Sequence, residues 1–208
     1  MKILIAVPCM DQVAAPFAAS LGMLEKDEKD QTVIAMQIGS LVYDSRNNLA
    51  KQAVNWDADY VMWLDSDMSF PPDTLKRMVR HMENGLDIVT GLYFRRRSPF
   101  APVLFKDLGV TDGKGHWEGY DDYPKDSLFE IGGCGFGCVM HKANVLAGMV
   151  LNGRGNWFSP YAGFGEDLSF CIRAKESGYS IWCDSTIKCG HVGQIVVDEN
   201  IYETQLKG

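Results

Sequence analysis

The stretch Tyr60-Val61-Met62-Trp63-Leu64-Asp65-Ser66-Asp67 runs five apolar or aromatic residues straight into two carboxylates with one residue between them. A short continuous apolar run of this kind suits a strand in a parallel sheet covered by helices on both faces. The acids then stand at the strand's C-terminal end, the edge at which open α/β sheets bind ligands. Two carboxylates placed so close repel unless a cation or a hydrogen-bond network compensates them. A hard divalent ion, Mg²⁺ or Mn²⁺, is the economical answer, and such ions complete their shell with substrate phosphates, so the pattern points to a bound diphosphate. Asp57-Ala58-Asp59 repeats the spacing, but ahead of the strand, where it reads as a solvated turn.

Outward from this stretch the chain alternates apolar runs with helical patterns. On the N-terminal side, Lys2 to Val7 reads as a strand, and Val13, Phe17, Leu21 and Leu24 mark one helix face. Thr32 to Ile38 is a second strand, and Ser45 to Asn55 carries Leu49, Ala50, Ala53 and Val54 at helical spacing. On the C-terminal side, Pro71-Pro72-Asp73 opens a helix through Leu75, Met78, Val79 and Met82 that stops at Gly85. Asp87 to Phe94 returns as a strand, and residues 95–126, rich in Gly, Pro, Asp and aromatics, read as a long loop region with a short strand at Pro102 to Phe105. Ser127 to Ile131 is a further strand, followed by a glycine cluster at residues 132–137 and helices at about 142–149 and 166–177. Tyr179 to Cys183 is the last strand, with a less defined tail from Thr186. The expected fold is α/β, a mixed and mostly parallel sheet flanked by helices, in one domain over 1–208.

Twenty basic against 27 acidic side chains give a net charge of −7, so no basic field gathers a nucleic acid helix. Arg95-Arg96-Arg97 is the one basic run, either a solvated loop or a site for phosphate or an anionic acceptor. Six cysteines without a Cys-x-x-Cys pair read as reduced thiols. Pro8 and Asp11 interrupt the N-terminal apolar run too early for a signal peptide, and no run of about 18 apolar residues spans a bilayer. A soluble, cytoplasmic protein is expected.

Two further clusters carry candidate chemistry. Gly163-Phe164-Gly165-Glu166-Asp167 opens a helix, where the acids either stabilise the helix dipole or supply a general base. His191, in Cys189-Gly190-His191-Val192-Gly193, is either structural or a metal ligand; zinc held with Cys189 lacks the usual paired-cysteine spacing. Gly133-x-Gly135-x-Gly137 does not have dinucleotide-binding spacing.

The order of these pieces, with Val7-Pro8 after the first strand, Ser45-Arg46-Asn47 opening a helix and Gly132-Gly133-Cys134-Gly135 before Val139-Met140, resembles the GT-A fold glycosyltransferases, in particular a compact single-domain member of the family-two-like group. The resemblance implies a hexosyltransferase-type enzyme that moves a sugar from a UDP- or GDP-linked donor to a carbohydrate or other hydroxyl acceptor, with inversion. By that resemblance residues 1–94 bind nucleotide and residues 95–208 bind acceptor. Asp67 and His191 would ligate Mn²⁺ or Mg²⁺, with Asp65 on the ribose or a metal-bound water. Asp167 would be the base, and Glu166 would orient the acceptor or the helix. The main chain at Pro8, the glycines Gly132 and Gly133, and Arg46 would hold the donor, Arg46 meeting the diphosphate in bidentate fashion. No Asp-Asp-Gly-Ser segment follows Ile38-Gly39-Ser40, so Asp44 either replaces that acid or caps the next helix. A sugar-phosphate nucleotidyltransferase would need a Gly- and Arg-rich loop where Cys9-Met10-Asp11-Gln12-Val13 stands. A non-catalytic binding module would draw on Trp117, Tyr120, Trp157 and Tyr161 as exposed aromatics.

Overall fold

The structure, a computed structural model, describes residues 1–39, 41–151, 153 and 155–193. Ser40 and the part of the expected domain at 194–208 lie outside the described residues. In chain order the elements are β1 (Lys2–Cys9), α1 (Ala15–Met23), β2 (Gln31–Ile38), α2 (Val42–Asn55), β3 (Tyr60–Leu64), β4 (Met68–Ser69), α3 (Thr74–Glu83) and β5 (Ile88–Leu92). They continue with β6 (Leu104–Thr111), β7 (Lys114–Gly119), β8 (Leu128–Ile131), β9 (Gly133–Cys134), β10 (Cys138–Lys142), α4 (Asn144–Gly148), α5 (Glu166–Glu176), β11 (Ile181–Lys188) and β12 (Gly190–His191).

Seven strands form the main sheet in the order β2-β1-β3-β10-β5-β11-β8. The apolar runs of β1 and β3 are buried on both faces because their side chains alternate between two cores. Ile3, Ile5, Val7, Met62 and Leu64 enter one core with Phe17 of α1 and Met78 of α3. Leu4, Ala6, Val61 and Trp63 enter the other with Leu49 of α2 and Phe170 of α5. The mixed α/β sheet flanked by helices is as expected, but three of its six pairings are parallel (β1 with β2, β1 with β3, β5 with β11) and three antiparallel. Parallel pairs are therefore half of the sheet and not most of it. The change comes from β10, which inserts antiparallel between β3 and β5. β10 ends in His141 and Lys142 and so lacks the continuous apolar run that marks the equally short β3.

The segment read as a loop also contains more order than expected. β6 and β7 form a hairpin closed at Asp112-Gly113, with both residues at positive φ (51° and 75°) and Thr111 paired to Lys114. Asp-Gly is the favoured pair for such a two-residue turn, so the signal was present in the sequence. At α2 the N-cap residue is Leu41, and Asp44 lies inside the first turn, where its charge favours the helix dipole without capping it. β11 runs on to Lys188, through the region expected to be less defined. Its Asp184 is tied to α3, accepting from His81 Nε2 at 2.9 Å and from Arg77 Nη2 at 3.4 Å, and this ion-pair cluster clamps the helix to the strand. None of the six cysteines is in a disulfide. No helix of the described residues is long and apolar enough to cross a membrane.

At the centre of one core, Trp63, Phe136, Phe158 and Phe170 pack edge-to-face or stacked with centroids 4.7 to 6.0 Å apart. His141 of β10 lies among them, fully buried. Its Nδ1–H donates to the Lys142 carbonyl at 2.8 Å, so its Nε2 accepts from the Trp63 indole N–H at 2.9 Å and the ring is neutral. Burial holds its pKa down at about 4. The unfolded chain takes up this proton below about pH 6.5, so stability is lost as pH falls from there to about 4, by about 3 kcal/mol. His141→Gln keeps an acceptor for Trp63 but has nothing to titrate. The gap in urea midpoint between the native chain and this variant should therefore shrink as pH is lowered from 7 to 4, and a constant gap would count against a neutral buried imidazole.

Candidate active site

At the C-terminal ends of β1 and β3 the sheet opens into a cleft of about 330 Å³ lined by Pro8, Ser45, Arg46, Asp65, Asp67 and Glu166, among others. It shares Ser66, Asp67 and Arg96 with a neighbouring cavity of about 600 Å³ that runs past Asp11 and Gln12. Pro8 ends in this cleft because β1 carries it there in parallel register with β2.

Arg46, in α2, is 2% exposed. Its Nη2 donates to Asp65 Oδ1 at 2.7 Å and its Nε to Glu166 Oε1 at 3.4 Å. The guanidinium carbon stands 5.5 to 5.9 Å from the ring centres of Phe136, Trp63 and Phe158. Burial opposes the charge, but Asp65, Glu166 and Asp167 outweigh it and raise the Arg46 pKa. Of the donors expected to grip a diphosphate, Nη2 and Nε are thus committed to two carboxylates, while Nη1 is buried with no hydrogen-bond partner among the described residues; Arg46 acts here as an internal counter-ion. Asp65 belongs to this clamp. Burial raises its pKa, Arg46 opposing and Asp67 adding to the shift.

Asp67 has different company. The short antiparallel pair β4/β12 places His191 opposite Met68, and the Val192 N–H donates to the Asp67 carbonyl at 2.8 Å. His191 Nδ1–H donates to the Phe94 carbonyl at 2.9 Å, which leaves Nε2 facing Asp67 Oδ2 at 3.5 Å. The Arg96 guanidinium pairs with the same oxygen. Burial alone would raise the Asp67 carboxyl, but the His191 hydrogen bond and charge, with Arg96, hold it below the ordinary range. The same pairing raises His191, against its partial burial. Asp57, in the other Asp-x-Asp pair, sits at φ 56°, and Asp59 accepts from the Lys2 N–H at 2.7 Å, so that pair is a turn remote from the cleft.

Glu166 and Asp167 occupy the first turn of α5, behind Gly165 as N-cap. Asp167 Oδ1 accepts from the Leu168 N–H at 2.7 Å. Burial and the neighbouring Glu166 nevertheless push its carboxyl up to about 6. Its Oδ2 faces Gly135, where a Cβ would come within 3.4 Å of it. Gly132 and Gly133, expected at the donor, lie elsewhere: a Cβ on Gly132 would stand 2.8 Å from the Lys106 carbonyl, and one on Gly133 2.5 Å from Leu108 Cδ2. These two glycines admit the close approach of β6, and neither lines the cleft.

Among the described residues no three of His, Cys, Asp and Glu converge as a self-sufficient metal cage. The structure brings together Asp67 with His191, and Asp65 with Arg46 and Glu166. Sequence reading did not anticipate the clamp or the place of Arg96 on Asp67, although the basic run at 95–97 was its visible trace.

A family model described as glycosyl transferase family 2 matches residues 20–135, more than half of the chain. That span includes Arg46, Asp65, Asp67 and Arg96 and ends before Asp167 and His191. Among solved structures, the crystal structure of A197 from STIV is similar in fold, with a TM-score of 0.63 and 18% identity, covering 93% of this chain and 87% of that one. No curated protein matches the sequence.

Removing the buried guanidinium strands two carboxylates, so Arg46→Ala should lower unfolding stability by about 3 kcal/mol at pH 7 in a urea titration. Arg46→Lys should recover little of this, since a single ammonium cannot serve two carboxylates from the fork positions of Nε and Nη2. Native-like stability in Arg46→Lys would contradict the clamp.

Proposed function

Because the chain belongs to glycosyl transferase family 2, we propose that it transfers a sugar from a UDP- or GDP-linked donor to an acceptor hydroxyl, with inversion and with the help of Mn²⁺ or Mg²⁺. The observation that carries this is the approach of His191 Nε2 to Asp67 Oδ2, 3.5 Å apart, with Asp67 lining the cleft, His191 lining a neighbouring cavity and Arg96 lining both. Adjacent ligands of an octahedral ion with bonds of about 2.1 Å stand about 3 Å apart, so the pair suits a shared cation after a small adjustment. The Phe94 carbonyl holds the proton on Nδ1, which presents the Nε2 lone pair to the same point. Two protein donors are what a Mg²⁺ or Mn²⁺ site completed by phosphates uses. When bound, the ion supplies neutralisation of the charge that develops on the departing diphosphate.

The remaining chemistry falls to the chain's own groups. Asp67 and His191 orient the diphosphate end of the donor, and the cleft past Pro8 takes the nucleoside. Asp167 accepts the proton of the acceptor hydroxyl as its oxygen bonds to the anomeric carbon and the nucleoside diphosphate leaves from the opposite face. With a pKa near 6, Asp167 is ionised at neutral pH yet basic enough for this task. Glu166, bound to Arg46, positions α5 and leaves the proton transfer to its neighbour. Five buried free thiols and one partly exposed favour a reducing compartment, the cytoplasm.

The competing functions lack a comparable feature. A nucleotidyltransferase has no phosphate loop in Cys9 to Val13 to work with. For a binding module, Trp117 is 57% exposed, but Trp157 donates its indole N–H to the Leu146 carbonyl and Tyr120 packs edge-on against Phe129.

Thermal shift with UDP- and GDP-sugars should show stabilisation that requires Mn²⁺, accompanied by slow donor hydrolysis. Asp67→Ala should lose both the metal-dependent binding and the transfer. Asp167→Asn should keep donor binding while transfer falls about 10²- to 10⁴-fold. Because the ionised carboxylate is the active form, native kcat/KM should rise with pH through about 6 and then level off. Full activity in Asp167→Asn would reject it as the base.

A further inference from the structure

We propose that Arg96 is a built-in counter-cation for Asp67 that gives way to the metal and then pairs with the donor's diphosphate, so that metal and nucleotide bind with positive coupling. This rests on the donor-binding function proposed above.

Arg96 Nη1 pairs with Asp67 Oδ2, the same oxygen that His191 Nε2 faces. A guanidinium stays charged at any working pH, so it competes with any other cation for that carboxylate. It differs from Arg46 in every respect that governs exchange. The Arg46 side chain is 2% exposed and joins two carboxylates, whereas the Arg96 side chain is 46% exposed and makes one ion pair among the described residues. Its backbone is anchored nearby: Phe94 bridges to Pro102, the Arg95 N–H donates to the Ala101 carbonyl at 2.9 Å, and a Cβ on Gly193 would stand 3.0 Å from the Arg96 carbonyl. The anchored loop keeps the side chain within reach of the site while its rotatable bonds let the head group swing. Arg96 lines the cleft at Asp65 and Glu166, the cavity at Asp11 and Gln12, and a third cavity of about 560 Å³ at His191.

A diphosphate brings the anion that a guanidinium binds best, through paired N–H donors. A divalent ion brings the charge that Asp67 then lacks. The exchange keeps every anion paired: ion on Asp67, Arg96 on phosphate. The ion alone must expel Arg96 into water, while the ion with nucleotide gives it a new partner. By linkage, each ligand then strengthens the other.

Calorimetric titration of the full chain with Mn²⁺ alone, with UDP or GDP alone, and with both tests this in the native protein, Arg96→Ala and Arg96→Lys. Arg96→Ala should bind Mn²⁺ alone about five-fold tighter. It should bind nucleoside diphosphate at saturating Mn²⁺ about ten-fold or more weaker, with an unchanged thermal midpoint, and the mutual strengthening of metal and nucleotide should shrink accordingly. Arg96→Lys, which keeps the charge but not the fork, should fall between. Unchanged or weaker Mn²⁺ binding in Arg96→Ala, with undiminished coupling, overturns the exchange while leaving the donor site standing. If the native chain binds neither Mn²⁺ nor either nucleotide, the donor site itself fails and the role of Arg96 falls with it.

Discussion

A guanidinium that cannot lose its charge sits 2% exposed in a box of aromatic rings, and much of the cleft is arranged to make Arg46 tolerable there. A buried cation is costly unless paired and hydrogen-bonded. Its partners come from two distant places in the chain, Asp65 at the end of β3 and Glu166 at the start of α5, so neutralising it also docks α5 against the sheet edge. The aromatic faces of Trp63, Phe136 and Phe158 add quadrupole attraction to the same charge. Geometry at the cleft is therefore set by an electrostatic requirement of the interior.

That requirement sorts the acids. Asp65 is paired with Arg46, which opposes the upward push that burial and Asp67, two residues away, exert on its carboxyl. Asp67 keeps His191 and Arg96 as partners and ionises more readily than an ordinary carboxyl. Asp167, deprived of water beside Glu166, holds its proton up to about pH 6. Asp67, which lines the cleft, and Asp167, which follows its lining residue Glu166, are thus shifted in opposite directions, which is the basis on which one can serve cations and the other can serve as a base. On the function proposed above, this division falls between the departing diphosphate and the arriving hydroxyl.

The pairing of Asp67 with His191 depends on a ladder of only two residues, β4 with β12. A ladder so short has little stability of its own. It is held from outside by the Cys189 N–H on the Leu92 carbonyl, by the His191 ring on Phe94 O and against Tyr93, and by β11, itself clamped to α3 through Asp184. The clamp on the far side of β11 therefore serves the position of a residue it does not touch.

Apolar runs and helix stops were legible without coordinates: the bounds of β3 were read correctly from Tyr60 to Leu64, and α3 and α5 lie within one or two residues of their expected ends. These are local properties, since alternation, proline at a helix start and glycine at its end act through neighbouring residues. The Asp-Ser-Asp at the strand's edge and the Glu-Asp at the helix start could be recognised for the same reason, and family membership followed from their order. Only tertiary structure could put β10 antiparallel inside the sheet, turn Arg46 inward to Asp65 and Glu166, lay Gly132 and Gly133 against β6, and set Arg96 on Asp67. A charged side chain of several rotatable bonds can face water, ligand or protein from the same sequence position. Which of these it faces is decided by the burial and the opposing charges brought to it from elsewhere in the chain.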